Sequence, residues 1–209
     1  MTDIARKHAL NKEKLFKELV KLLENHIWSL ELIKKAEQLC GFDLGYHHVL
    51  FAGGQADCLM EFERWQDALM LEELKKLAKP AKIREQIALA LELRIMQVVS
   101  KNVAMNNNAY FLIPSNILAG NESACHTSDL IWKYAGDKST DFNYYTKRGL
   151  LLAVYLSAKS FYFADNSENN IETKEFIKNA LDNIINIASF KSRINLPKIE
   201  DIPILRLFS

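Results

Sequence analysis

The stretch from Phe142 to Ala164, FNYYTKRGLLLAVYLSAKSFYFA, decides the fold class. It holds no proline, and its apolar residues fall at helical spacing on two stripes. Phe142, Tyr145, Gly149, Leu152, Leu156 and Phe163 form one; Tyr144, Arg148, Leu151, Tyr155, Ala158 and Tyr162 form the other. A helix apolar on both sides sits at the centre of a bundle or against a partner, and tyrosines mixed with Arg148 have the composition of protein interfaces. The rest of the chain is poor in helix breakers, with 7 Gly and 4 Pro in 209 residues, so long uninterrupted helices are expected. A net charge of +1, with 49% hydrophobic and 25% charged residues, excludes collagen-like, disordered and strongly basic nucleic-acid-binding classes. The expected fold is all-α, with one sizeable core rather than two domains.

Beyond this helix, a last one is expected over Ile171–Phe190, with Phe176, Ile177, Ala180, Leu181, Ile184, Ile187 and Ala188 on one face. Toward the N-terminus, Leu15, Leu19, Leu22 and Leu23 mark a first helix over Lys14–His26. A second starts at Trp28, carries Leu32, Ile33, Ala36 and Leu39 on one stripe and stops at Gly41. Phe42–Gly54, with Gly45, Gly53, Gly54 and the pair His47-His48, reads as a broken helix. Gln55–Lys79 is helical up to Pro80, whose fixed φ suits the first turn of the next helix. Ile83, Ile87, Ala90, Leu91, Ile95 and Val98 mark that next helix as long and buried. Asn106–Asn108 and Pro114 punctuate the chain after it, leaving short helical pieces at Ser115–Ala119 and Asp129–Ala135. The most apolar run, Gly149–Ala158, is about half of the roughly 20 residues a membrane-spanning helix needs.

Cys40, Cys58 and Cys125 form no C-x-x-C and read as reduced, buried, small apolar side chains. Met1–Lys21 is laced with Lys and Glu and lacks a secretory h-region, and Asp3 argues against a transit peptide. A di-iron carboxylate bundle places Glu three residues before its histidines; here those positions are Ala5, Leu23, Leu44, Gly45 and Ser123. H-E-x-x-H, G-x-S-x-G, Walker and G-x-G-x-x-G motifs are absent. Adjacent side chains diverge, so His47-His48 read as loop histidines and Cys125-His126 as a poor nucleophile and base. No catalytic residue, metal site or cofactor is expected.

The order of the first elements resembles the N-terminal helix-turn-helix of TetR regulators. A DNA reader needs basic side chains there, yet Gln38–Glu63 has no Lys or Arg and carries Asp43, Asp57, Glu61 and Glu63. The motif is degenerate, and no nucleic acid partner is expected. A denser likeness lies in Ile131–Arg148, IWKYAGDKSTDFNYYTKR. It resembles the W-x-x-A-G-D-x-S-T-D-F-N-W-Y-T-x-R signature of the coenzyme Q nine family, accessory proteins of ubiquinone biosynthesis. The likeness continues through Leu152, Ala153, Val154, Tyr155 and Asp165. Upstream, Trp28, Ala36, Gly41, Phe51, Gly54, Ala56, Asp57 and Phe62 resemble the family's degenerate TetR segment, so the likeness covers roughly Trp28 to Phe190.

The resemblance implies a TetR-like helical homodimer: an N-terminal helix over 1–27, the family domain over 28–190 and a C-terminal tail over 191–209. It implies no enzymatic activity. Family members bind aromatic isoprenoid quinone intermediates and phospholipid at a membrane surface, and present the intermediate to the di-iron demethoxyubiquinone hydroxylase of the coenzyme Q seven type. The signature region is associated with docking that hydroxylase, which singles out Asp137, Asp141, Asn143, Tyr144, Tyr145 and Arg148, with Tyr144 where the family usually has Trp. A plainer reading stands beside it: Gly136 ends one helix, and Asp137, Ser139, Thr140 or Asp141 caps the next. For lipid contact the candidates are Phe111, Trp132, Leu151, Leu152, Tyr155 and Phe163, drawn from segments with apolar surface beyond their own packing needs; core packing explains any one of them as well. The tail, Lys191–Ser209, is broken by Pro197 and Pro203 and apolar at Ile202, Ile204, Leu205, Leu207 and Phe208, suiting shallow insertion. The expected location is cytoplasmic, peripheral on the inner face of a bacterial inner membrane, or the matrix side in a mitochondrion. The alternatives are a ligand-responsive TetR-type transcriptional regulator and a small hydrolase using Cys125 or His126.

Overall fold

The computed structural model describes residues 2–138 and 142–193 and, within them, every side chain except those of residues 142–143 and 185–193. Among the described residues the regular structure is entirely helical: α1 (Asp3–Leu23), α2 (Leu30–Leu39), α3 (His47–Leu50), α4 (Gln55–Lys76), α5 (Ile83–Met96), α6 (Lys101–Phe111), α7 (Ile117–Tyr134), α8 (Phe142–Ala164) and α9 (Ile171–Arg193), with 3₁₀ turns at Pro114–Asn116 and Glu168–Asn170. The all-α expectation holds. Thr2, Ser29 and Ser100 start α1, α2 and α6 by accepting from the backbone N–H groups of Ala5, Leu32 and Val103. Gly41 ends α2 as expected: at φ +67° it lets the Phe42 N–H reach the Glu37 carbonyl at 2.9 Å and its own N–H reach Gln38 at 3.0 Å.

Elsewhere the boundaries differ from the sequence reading. α1 starts at Asp3 rather than Lys14, because its first turns lie exposed and carry no apolar stripe to read. Pro80 lies in the loop before α5, whose N-cap is Lys82. Asn106–Asn108 interrupt nothing: they lie inside α6, where Asn107 is buried and side-chain bonded. α7 is one helix from Ile117 to Tyr134, not two pieces. Its buried face carries Ser123, Thr127 and Ser128, which break the apolar period; two of their hydroxyls bond back one turn, Thr127 to the Ser123 carbonyl and Ser128 to that of Ala124. On α8 the stripe of Leu151, Tyr155, Ala158 and Tyr162 is core, whereas Tyr145 and Leu156 of the other stripe are exposed. Core packing therefore explains the stripe read as interface-like. Cys40 and Cys58 are buried as expected, but Cys125 is exposed.

The core is built in two apolar parts joined by α4. Cys58, Leu59 and Phe62 belong to the first, where α1, α2, α3 and α6 gather around Phe16, Trp28 and Phe51. Met70 and Leu74 belong to the second, with α5, α7, α8 and α9. Between them α4 presents Glu63, Gln66 and Asp67, all buried. Buried carboxylates need hydrogen-bonded counter-charges, and Arg94 of α5 supplies them: Nε donates to Asp67 at 2.7 Å, Nη1 to Gln66 at 3.0 Å and Nη2 to Glu63 at 2.6 Å. The network extends outward on both sides. Asn107 donates to Glu63 and accepts from the Trp28 indole at 2.9 Å, while Thr127 and His126 of α7 bond Asp67 at 2.9 and 3.0 Å. Burial alone would raise the Asp67 pKa, but Arg94, His126 and Thr127 outweigh it and hold the carboxyl below its ordinary value.

Removing the single cation strands two buried carboxylates. Arg94→Met is therefore expected to cost about 3–5 kcal/mol in denaturant unfolding, against at most about 1 kcal/mol for Arg64→Ala, whose ion pair with Glu61 is solvent-exposed. At the α8–α9 corner, hydrogen bonds from Ser167 and Thr173 hold the Asp165 carboxyl well below the usual range. Its stabilisation is complete above the unfolded value of about 4 and is lost as pH falls below it. Thermal melts from pH 6 to pH 3 are expected to show a smaller acid-induced drop in Asp165→Asn than in the wild type.

Candidate functional site

The described residues of the signature segment form the end of α7 and the start of α8, which pack against each other. Gly136, at φ +84°, ends α7, with the Asp137 N–H bonded to the Trp132 carbonyl and the Gly136 N–H to that of Lys133, both at 3.0 Å. α8 is then tied back onto α7 by side chains. Arg148 Nε donates to Asp129 at 2.6 Å and Nη1 to Asp137 at 3.0 Å, and its guanidinium lies 3.4 Å over the ring of Tyr144. The Tyr144 hydroxyl donates to Asp129 at 3.2 Å, Lys147 pairs with Asp137 at 2.7 Å, and the Trp132 indole donates to the Lys147 carbonyl at 3.0 Å. Burial would push Asp129 up and Arg148 down; hydrogen bonds from Lys133 and Arg148 hold the acid below its ordinary value, and those to Asp129 and Asp137 hold the base above its own.

Of the docking candidates, Asp137, Tyr144 and Arg148 thus meet in one cluster where α7 meets α8. Tyr145 stands edge-on to Tyr144, with ring centroids 5.1 Å apart, and is 73% exposed. The side chain of Asn143 and all of Ser139, Thr140 and Asp141 lie outside the described residues. Asp129, which anchors both Arg148 and Tyr144, was missed by the sequence reading, which placed it only at the start of a short helical piece.

The lipid candidates separate. Phe111 and Tyr155 line a cavity of about 310 Å³ between α4, α6, α7 and α8, with Leu112, Ile117 and Leu156 on its walls and Glu63 and Lys159 among its lining. Trp132 and Leu151 line a smaller, almost wholly apolar cleft of about 140 Å³ with Ile87 and Leu181. Leu152 and Phe163 line neither and pack half-buried against the core. Gly120 shapes the larger cavity, because a Cβ there would stand 2.9 Å from that of Phe111. Of its lining, Leu112, Ile117 and Leu156 are exposed apolar residues, and the chain neighbours Ile113 and Leu118 are exposed as well. Two sequence signals mark this site in retrospect. No residue from Asn102 to Asn121 is charged, and Lys159 falls on the apolar stripe of α8, four residues after Tyr155 and three before Tyr162.

The COQ9 family model matches residues 118–188, which span α7, α8 and most of α9. Over these residues the chain is similar to the COQ9 family. It is 29% identical over 197 residues to the probable ubiquinone biosynthesis protein coq9, mitochondrial, of Dictyostelium discoideum, covering 88% of this chain and 62% of that protein. It is 24% identical over 182 residues to the rat and 25% over 176 residues to the human ubiquinone biosynthesis protein COQ9, mitochondrial. These alignments cover 81% and 78% of this chain and 57% and 54% of the relatives, so the chain spans little more than half the length of these COQ9 proteins. The COQ9 match contains the whole Arg148 cluster and the cavity residues from Gly120 to Ser160, whereas Glu63, Phe111, Leu112 and Ile117 lie outside it.

The Arg148 cluster separates two roles by mutation. Arg148→Ala is expected to lower unfolding stability by about 1–3 kcal/mol, through loss of charge-assisted bonds to Asp129 and Asp137. Tyr145→Ala is expected to stay within about 0.5 kcal/mol of wild type, as a change on an exposed side chain.

Proposed function

We propose that this chain is a COQ9-type, non-enzymatic, lipid-binding accessory protein of ubiquinone biosynthesis that holds an aromatic isoprenoid intermediate and presents it to the di-iron demethoxyubiquinone hydroxylase. One observation carries the lipid part: the 310 Å³ cavity is lined by the exposed apolar residues Leu112, Ile117 and Leu156. A space of that size takes a substituted ring, and a longer isoprenoid tail then has an apolar lip to lie on. Such a lip also suits contact with a bilayer from which the lipid is drawn. Among the described residues no helix is long and apolar enough to cross a membrane, so the proposed attachment is peripheral, on the matrix side in a mitochondrion or the inner face of a bacterial inner membrane. The names of the relatives, with ubiquinone biosynthesis and mitochondrial in each, support this reading.

For hydroxylase docking, the exposed Tyr145 over its stiff Tyr144–Arg148 base is the feature of an interface anchor. A TetR-like homodimer is part of the same proposal. The alternative of a DNA-binding regulator is disfavoured by α3, a single turn of four residues, flanked by a stretch without Lys or Arg.

Protein purified from its own host is expected to yield an isoprenoid ring lipid on extraction and mass spectrometry, and Leu112→Glu to lower the amount carried; protein free of lipid would overturn the reading. Tyr145→Ala is expected to weaken hydroxylase binding about tenfold at unchanged melting temperature.

A further inference from the structure

Lys159 is only 9% exposed and lines the 310 Å³ cavity. Glu37, Glu63, Asp67, Arg94 and Asp165, the other buried charged side chains, are all hydrogen-bonded. Lys159 is different. Among the described residues its ammonium makes no salt bridge or hydrogen bond, and it lies 5.9 Å from the centroid of the Tyr155 ring. Glu63 attracts it from a distance, but that carboxylate is already engaged by Arg94 and Asn107. A lysine ammonium carries three donors and no acceptor, and with the residue only 9% exposed the cavity is the space from which a partner can reach them. Around it stand Phe111, Leu112, Ile117 and Leu156, walls suited to a hydrocarbon body.

We infer that Lys159 anchors the ligand, donating a hydrogen bond to an acceptor oxygen on the ring head of an otherwise apolar molecule. This rests on the lipid-binding reading above and adds the atom-level contact that selects the head. The charge balance of the surroundings selects the class of oxygen. Glu63 borders the cavity with its charge already taken up by Arg94 and Asn107, so a doubly charged phosphate there would face a like charge. A quinone carbonyl or a phenolic oxygen brings an acceptor without that repulsion. The cavity then reads the molecule from two ends: Lys159 meets the oxygenated ring, and the exposed apolar edge at Leu112 and Ile117 takes the tail.

The test uses two probes of one shape, tetramethyl-1,4-benzoquinone and 1,2,4,5-tetramethylbenzene, titrated into the full chain and followed by NMR shifts of cavity residues. Lys159→Met fills the same space without donors. It is expected to raise the Kd of the quinone about tenfold or more and to leave that of the hydrocarbon unchanged or lower. Lys159→Gln, which keeps a neutral donor, is expected to fall between wild type and Lys159→Met, and it carries the test if the methionine variant fails to fold. An unchanged quinone Kd in the variants, or equal weakening of both probes, overturns the anchor while leaving an apolar binding site in place. Failure of wild type to bind either probe also overturns it; host lipid still recovered on extraction would then leave the accessory function standing, and lipid-free protein would remove both.

Discussion

A single guanidinium holds the two halves of this bundle in register. Glu63, Gln66 and Asp67 lie on α4 where an apolar side chain would ordinarily continue the core, and Arg94 answers all three from α5. A buried ionic layer of this kind adds little net stability compared with a hydrocarbon one. What it adds is geometric demand: α4 and α5 have one relative position in which every donor finds its acceptor, and Trp28, Asn107 and Thr127 extend the same demand to the α1–α2 connection, α6 and α7. The cavity sits against this layer through Glu63, so its shape is set by the same bonds that position the helices.

Much of this architecture could be read from the residues. α8 runs from Phe142 to Ala164, as its two stripes and missing prolines indicate, and Gly41 and Gly136 stop their helices because positive φ costs glycine nothing. The failures share one cause. Ser123, Thr127, Ser128 and Asn107 are polar residues on buried faces, and a pattern that counts apolar side chains reads them as breaks. Their partners lie in other helices or one turn back, and nothing local in the sequence announces such pairing.

The candidate site was legible in part for the same reason. The signature residues identify the α7–α8 contact, yet their spacing does not say that Arg148 and Tyr144 face inward onto Asp129 while Tyr145 faces out. The apolar candidates along α8 were correctly placed on a mixed helix, but which of them reach a cavity depends on Phe111 from α6 and Gly120 from α7. Lys159 was visible only as the end of an apolar run; its meaning appears once Tyr155 and Glu63 are beside it.

Among the described residues where α7 meets α8, Asp129, Lys133, Asp137, Lys147 and Arg148 satisfy one another, so the base beneath Tyr145 is held in place before any partner arrives. Its side chains have already lost the rotational freedom that association would otherwise take from them, a loss of roughly 0.5–1.5 kcal/mol for each long side chain immobilised. A protein meeting Tyr145 there would encounter a preorganised aromatic knob on a locked base, and its recognition would rest on shape, with salt concentration having little influence on the encounter.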